Sequence, residues 1–221
     1  MAELTGLVTL DEALSPAAEA YRALRLNLQF AALDKRLQTV MISSPDPGEA
    51  KSIVLANLAV TLAQIEQRVI MVDCDLRKPQ LHALFRLPNE AGLTTMMLEE
   101  QALQQPPLQD TIVERLRLLP SGPLPSRPAD LIGSQRMEAV IARLREEADT
   151  LLFDAPPILA AADAIVLASK VDAALLVVSA GQTKREQVQR AIEQLGRVNA
   201  HLVGAVLYNA PEEAALRGYY R

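Results

Sequence analysis

Tryptophan is absent from this 221-residue chain, and aromatic residues of all kinds make up only 3% of it. Its interior must therefore be filled by aliphatic side chains and alanine, which suits helices layered on a parallel sheet. A single cysteine, Cys74, excludes an intramolecular disulfide and a cysteine-rich metal centre, and fits a reducing compartment. No uninterrupted apolar run is long enough to span a bilayer. The opening residues, MAELTGLVTLDEAL, carry acids where a signal peptide carries a basic segment ahead of its apolar core. A basic excess is missing too: the net charge is −5, which argues against general nucleic-acid binding because nothing supplies a field to release phosphate counterions. These absences predict a cytoplasmic protein that reaches the inner face of a membrane only through a partner.

The chain is rich in apolar residues. With 50% hydrophobic and 22% charged residues it should fold, and its length fits one domain over 1–221. Residues 1–14 read as an irregular lead-in and 210–221 as a flexible tail. Ser15-Pro16 supplies an N-cap followed by proline at the first helical position, so a helix is expected over about 16–32. Apolar, β-branched runs at 37–43, 68–73, 149–154, 173–178 and 202–207 read as buried strands. Helical segments are expected at 52–65, 129–147, 162–169 and 184–197. Alternation of this kind predicts an α/β fold with right-handed crossovers and a parallel β-sheet covered by helices on both faces. The proline-rich stretch 106–128 is expected to loop over the surface, with 116–119 forming a short strand.

Ser43-Ser44-Pro45-Asp46-Pro47-Gly48-Glu49-Ala50-Lys51-Ser52 has the form of a phosphate-binding loop. In such a loop backbone N–H groups face the phosphates, a lysine neutralises their charge and a Ser or Thr hydroxyl holds Mg²⁺. Lys51 and Ser52 fit the last two roles, whereas Pro45 and Ala50 stand where the strict pattern has glycines. A strand precedes the loop and a helix follows it, so the helix N-terminus would point at the bound anion. Pro47, Gly48, Glu49, Ala50, Lys51 and Ser52 are the expected nucleotide-binding residues.

Three carboxylates complete the pattern. Asp73 and Asp75 fall two residues apart at a strand end, which puts them on one side and Cys74 on the other. Asp154 ends another apolar strand, as a Walker B aspartate does when it holds Mg²⁺. A lone strand-end aspartate more often caps a helix or turn; three of them downstream of a Lys-Ser loop point to a nucleotide site.

From about Glu19 to the C-terminus the chain resembles the bacterial tyrosine kinases of capsule and exopolysaccharide synthesis, the BY-kinases, which use a P-loop NTPase-like fold. The matching segments are Glu19-Ala20-Tyr21-Arg22-Ala23-Leu24-Arg25, the Pro-Gly-Glu-x-Lys-Ser loop, Val72 through Pro79 (VDCDLRKP), Leu119-Pro120-Ser121-Gly122-Pro123 and Asp154-Ala155-Pro156-Pro157. The resemblance implies transfer of the ATP γ-phosphoryl group to tyrosine hydroxyls, with ATP and Mg²⁺ as cofactors. Lys51 would contact the phosphates, Ser52, Asp75 and Asp154 would organise the metal, and Asp73 would orient or deprotonate the attacking tyrosine. The expected phosphoacceptors are Tyr219 and Tyr220. Glu19, Arg22 and Arg25 would lie at the contact of a homo-oligomeric ring; the alternative is an exposed Glu-Arg pair on one helix. A membrane-bound polysaccharide co-polymerase would be the activating partner. Arg77 and Lys78 either screen phosphate charge or form a solvated turn.

This chain departs from the family pattern in three places. At Ala50, a backbone with φ > 0 or in close approach to the phosphates would make the Cβ cost on the order of 1 kcal/mol, and more where it clashes; that would favour weak ATP binding and a scaffold rather than an active kinase. The tail offers two tyrosines where relatives carry several. Tyr208 stands where they often have an asparagine for the base, so Asn209, one place later, is the expected base contact. A partitioning-type ATPase is a third reading, but Asp46 occupies the place of that group's extra loop lysine. His82 and His201 suggest no nucleophile or metal centre.

Overall fold

The computed structural model describes residues 6–33, 37–48 and 50–210. Glu49, Tyr219 and Tyr220, together with the tail from 211 onward, lie outside the described residues.

The first elements in chain order are α1 (Val8–Asp11), α2 (Pro16–Ala31), β1 (Thr39–Ser43), α3 (Lys51–Ala63) and β2 (Val69–Asp73). Next come α4 (Leu81–Leu84), α5 (Leu93–Leu98), α6 (Glu100–Gln104), β3 (Gln109–Asp110) and β4 (Leu116–Leu119). The chain continues through α7 (Pro128–Gly133), α8 (Gln135–Glu147), β5 (Thr150–Asp154), α9 (Ala162–Ala168), β6 (Ala173–Ser179), α10 (Arg185–Arg197) and β7 (Leu202–Tyr208). The strands form one sheet in the order β3-β4-β2-β5-β1-β6-β7, in which all pairings are parallel except β3 with β4.

The two-residue period of each central strand divides its side chains between two cores. Met41, Ile70, Val72, Leu151 and Phe153 face one side, where α5, α8 and α9 cover them. Val40, Ile42, Val69, Met71 and Leu152 face the other, beneath α3. Helix α3 is apolar nearly all round because it lies between the sheet and α2, and every residue from Val54 to Ala63 is buried. Ser15 caps α2 as the sequence predicts, its hydroxyl accepting the Ala18 amide at 3.2 Å.

Three local expectations need correction. The lead-in is not irregular throughout: α1 is a helical turn whose Thr9 amide and hydroxyl donate to Asn57 Oδ1 at 3.0 and 2.8 Å, pinning it to α3. The helix expected over 129–147 is two helices, because Ser134 is extended and its hydroxyl donates back to Leu131 O. Within 106–128, Ser121 and Gly122 are buried rather than looped over the surface. Leu93 and Thr94 donate their amides to Pro120 O and Ser121 O, and Gly122 donates to Asn89 Oδ1. Gly92 lies so near this turn that a Cβ there would meet Pro120 O at 2.0 Å.

At the edge opposite the strand C-termini, Asp172 joins β6 to β1 and α8. Its carboxylate accepts the amides of Gln38 and Thr39, the Thr39 hydroxyl and the Arg145 guanidinium. Burial would raise its pKa, but the Thr39 and Arg145 hydrogen bonds outweigh that and hold it below the ordinary aspartate value. A depressed folded-state pKa stabilises the protein above the unfolded pKa, and the contribution is lost as pH falls through the folded value. Asp172→Ala is therefore expected to cost about 2 kcal/mol at neutral pH. Denaturant curves of variant and parent should converge in acid.

Candidate nucleotide and metal site

The site forms where β1, β2 and β5 end. Beyond β1 the chain turns through 44–50 and enters α3, and this loop is tied to the segment after β5. The Ile158 amide donates to Ser44 O at 2.8 Å, Leu159 to Pro45 O at 3.1 Å, and the Ser43 hydroxyl to Pro156 O at 2.7 Å. Gly48 carries the positive φ of the loop, +88°, with nothing within 4 Å of where a Cβ would stand. Ala50 is the N-cap of α3 with φ −77° and ψ 37°, on the negative-φ side open to L-residues. The cost that a positive φ would impose on alanine at this position is therefore absent.

Lys51 and Ser52 occupy the first turn of α3 and are buried. Lys51 Nζ lies 2.9 Å from Asp154 Oδ1 and 3.0 Å from Asp75 Oδ2. The Ser52 hydroxyl donates to the other oxygen of Asp154. Asp73 and Asp154 are register partners across β2 and β5, which brings a third carboxylate to the same rim. Asp73 Oδ2 accepts the amides of Gln80 and Leu81, each at 3.0 Å, while Oδ1 has only the long 3.3 Å contact from the Asp75 amide. Asp75 Oδ1 in turn accepts the Lys78 amide at 3.0 Å. The five residues that the sequence assigned to one site thus meet.

Electrostatics follows from four buried charges. Burial disfavours the Lys51 cation, but Asp154 and Asp75 outweigh it and raise its pKa, so it stays charged. Asp154 is shifted upward by burial against the opposing pull of Lys51 and Ser52. Asp73 is pushed up to about 8, first by burial and then by the neighbouring Asp154 charge. Cys74 points into the core between the carboxylates, and burial drives its thiol well above the ordinary value, so it is not a nucleophile.

A cavity of about 620 Å³ opens over these groups, lined among others by Pro47, Gly48, Lys51, Asp75, Lys78 and Tyr208. Hard oxygens of Ser52 and Asp75 line it, and Asp154 lies buried behind them, bonded to the Ser52 hydroxyl. Oxygens of this kind fit Mg²⁺, which takes one or two carboxylates and completes its octahedron with phosphate and water. Among the described residues no group of three or more His, Cys, Asp and Glu is arranged to hold a metal ion.

The remaining predicted residues fall elsewhere. Asn209 is exposed, with φ +57°, and lines a second, adjoining cavity rather than this one. Glu19 and Arg22 form an ion pair on α2, Arg22 also donates to Ala13 O, and Arg25 donates to Thr61 O at 2.9 Å. Arg77 is held by Asp163 through Nε at 2.9 Å and a second nitrogen at 3.1 Å. Sequence analysis missed Asp163; the signal was an acid in the first turn of an otherwise apolar helix, where only 1% of the residue is exposed.

Two measurements test this geometry. Ala50→Gly should change ADP affinity by less than about threefold, since no strained backbone is relieved. Asp73 has a raised folded-state pKa, so the folded chain holds a proton the unfolded chain lacks between its ordinary value and about pH 8. Stability without ligand should fall as pH rises through that window. Melts of Asp73→Asn against the parent from pH 5 to 9 should show the difference moving in the variant's favour with rising pH.

Comparison with known proteins agrees with the geometry. Residues 37–205 match the family described as an AAA domain. The tyrosine-protein kinase YwqD of Bacillus subtilis is 40% identical over 91% of this chain and 84% of its own length. The crystal structure of the chimerical protein CapA2B2 superposes with a TM-score of 0.89 at 32% identity, covering 95% of this chain and 92% of that one. The kinase domain of the Escherichia coli tyrosine kinase ETK superposes with a TM-score of 0.88 at 29% identity, over 95% of this chain and 82% of that one.

Proposed function

The chain belongs to the bacterial tyrosine-kinase family, with its P-loop NTPase-like fold, and on that premise we propose that it transfers the γ-phosphoryl group of ATP to tyrosines of its own tail. The observation that supports this best is the convergence of Lys51, Ser52, Asp75 and Asp154 at one helix N-terminus beside Asp73. Phosphoryl transfer needs cations on the phosphates, an aligned nucleophile and a proton acceptor, and little covalent chemistry beyond that.

Lys51 leaves its carboxylate partners to lie against the β- and γ-phosphates. Backbone N–H groups of Gly48, Ala50, Lys51 and Ser52 would face the same oxygens, helped by the dipole of α3. Ser52 and Asp154 would hold Mg²⁺, with Asp75 on the metal or its waters; the metal supplies charge neutralisation on the transferred group. Asp73 accepts the tyrosine proton as the new O–P bond forms and the bond to the β-phosphate oxygen breaks. Its Oδ1 is the atom with free accepting capacity, because Oδ2 is committed to two backbone amides. A carboxyl pKa near 8 is close to working pH, where a general base is most effective.

Tyr219 and Tyr220 are the proposed acceptors on a neighbouring subunit. Glu19, Arg22 and Arg25 are the proposed contact of that oligomer. A membrane-bound polysaccharide co-polymerase is the proposed activator and anchor at the cytoplasmic face; no described helix is long and apolar enough to cross a membrane. The proposed pathway is capsule or exopolysaccharide synthesis. The catalytically weak alternative loses the part of its support that rested on a positive φ at Ala50.

Incubation with Mg-ATP should produce phosphotyrosine, located at Tyr219 and Tyr220 by mass spectrometry. Lys51→Met should abolish the signal, and Asp73→Asn should lower the rate at least 100-fold, within the range for loss of a general base. ATP hydrolysis with no phosphotyrosine would favour the partitioning-type ATPase, and modification confined to other residues would remove the tail assignment.

A further inference from the structure

The sheet order fixes how a nucleotide can lie across the rim. Around the loop the strands run β5-β1-β6-β7. At about 4.8 Å per strand, Asp154 stands about 5 Å to one side of the loop and Tyr208, which ends β7, about 10 Å to the other. The cavity's polar side chains are Lys51, Ser52, Asp75, Arg77, Lys78 and Gln80. They come from the start of α3 and from the segment after β2, beyond β5 and away from β7. With the phosphates held there, the remainder of a nucleotide extends toward β7.

Tyr208 is the one aromatic residue among those described that line the cavity. The chain has only seven Tyr and Phe residues, 4 Tyr + 3 Phe, and no Trp, so a ring in the cleft is not a random draw from its surface. Its position is braced from behind. Tyr208 packs against the core beneath α3, its carbonyl accepts the Ala180 amide at 2.8 Å, and it forms a wall shared with the adjoining cavity, which Tyr21 also lines.

We infer that Tyr208 is the residue that receives the nucleobase, and that it does so by stacking rather than by hydrogen-bonded readout. This rests on the nucleotide site proposed above. An aromatic face accepts any purine, whereas a site that hydrogen-bonds the base edge rejects the wrong one strongly. Among the described residues, no polar side chain other than Tyr208 lines the cavity on the β7 side. The chain therefore discriminates little between ATP and GTP.

Calorimetry with Mg-ATP, Mg-GTP and Mg-tripolyphosphate on the parent, Tyr208→Leu, Tyr208→Phe and Asn209→Ala tests this. The parent should bind ATP and GTP within about fivefold of each other. Tyr208→Leu should weaken both by about tenfold, as loss of one stacked base does, and leave tripolyphosphate unchanged. Tyr208→Phe should retain parental affinity for both nucleotides, and Asn209→Ala should alter neither affinity nor selectivity. The assignment is overturned by any of four results: unchanged ATP affinity in Tyr208→Leu, equal weakening of tripolyphosphate, a preference for ATP above about 100-fold in the parent, or loss of base discrimination in Asn209→Ala. A parent that binds neither ATP nor tripolyphosphate overturns the nucleotide site itself, an outcome distinct from nucleotide binding that ignores Tyr208.

Discussion

One ammonium group holds the rim of this sheet together. Lys51 Nζ sits between Asp154 and Asp75, within 3.0 Å of each, where only 7% of the residue is exposed. A buried pair of this kind is weak as a source of stability, because desolvation offsets much of the attraction. Removing the cation would nonetheless leave like charges facing each other in a dry pocket, with Asp73 beside them. Local charge balance thus requires either the lysine or another cation among the carboxylates. In the proposed reaction a move of Lys51 to phosphate would pass that balance to a divalent metal, coupling the two binding events by electrostatics before any chemistry occurs.

Everything else in the fold serves to place that group. Buried alternating strands deliver Asp73 and Asp154 in register, and α3, packed on all sides, fixes the turn that carries Lys51 and Ser52. The loop between β1 and α3 is tied by hydrogen bonds to residues 156–159, which follow Asp154, so the two segments brace each other. Asp73 is steadied from the other side by two amides at the start of α4.

The strand positions and site residues were legible because their determinants are local. β-Branched runs, the Lys-Ser pair at a helix start and the strand-end aspartates each declare themselves within a few residues. The backbone geometry of Ala50 was not legible, since φ depends on how the loop closes onto residues 156–159. The same holds for Asp163, whose partner Arg77 lies 86 positions away. The α1 turn was missed because its stability comes from Asn57, far along the chain, and not from its own four residues. Ser134 divided an apparently continuous helix through a side-chain hydrogen bond that apolar periodicity does not encode. Asn209 failed to reach the first cavity because a left-handed backbone at the end of β7 turns the chain aside, leaving Tyr208 as the lining residue.

The Asp172 cluster lies at the opposite ends of the strands that carry the site. Thr39 is tied to it at one end of β1, and Ser43 leads into the phosphate loop at the other. Scaffold strength and chemistry are therefore drawn from separate poles of the same five residues. A substitution at the reactive pole can therefore alter chemistry while the anchoring pole keeps the architecture intact.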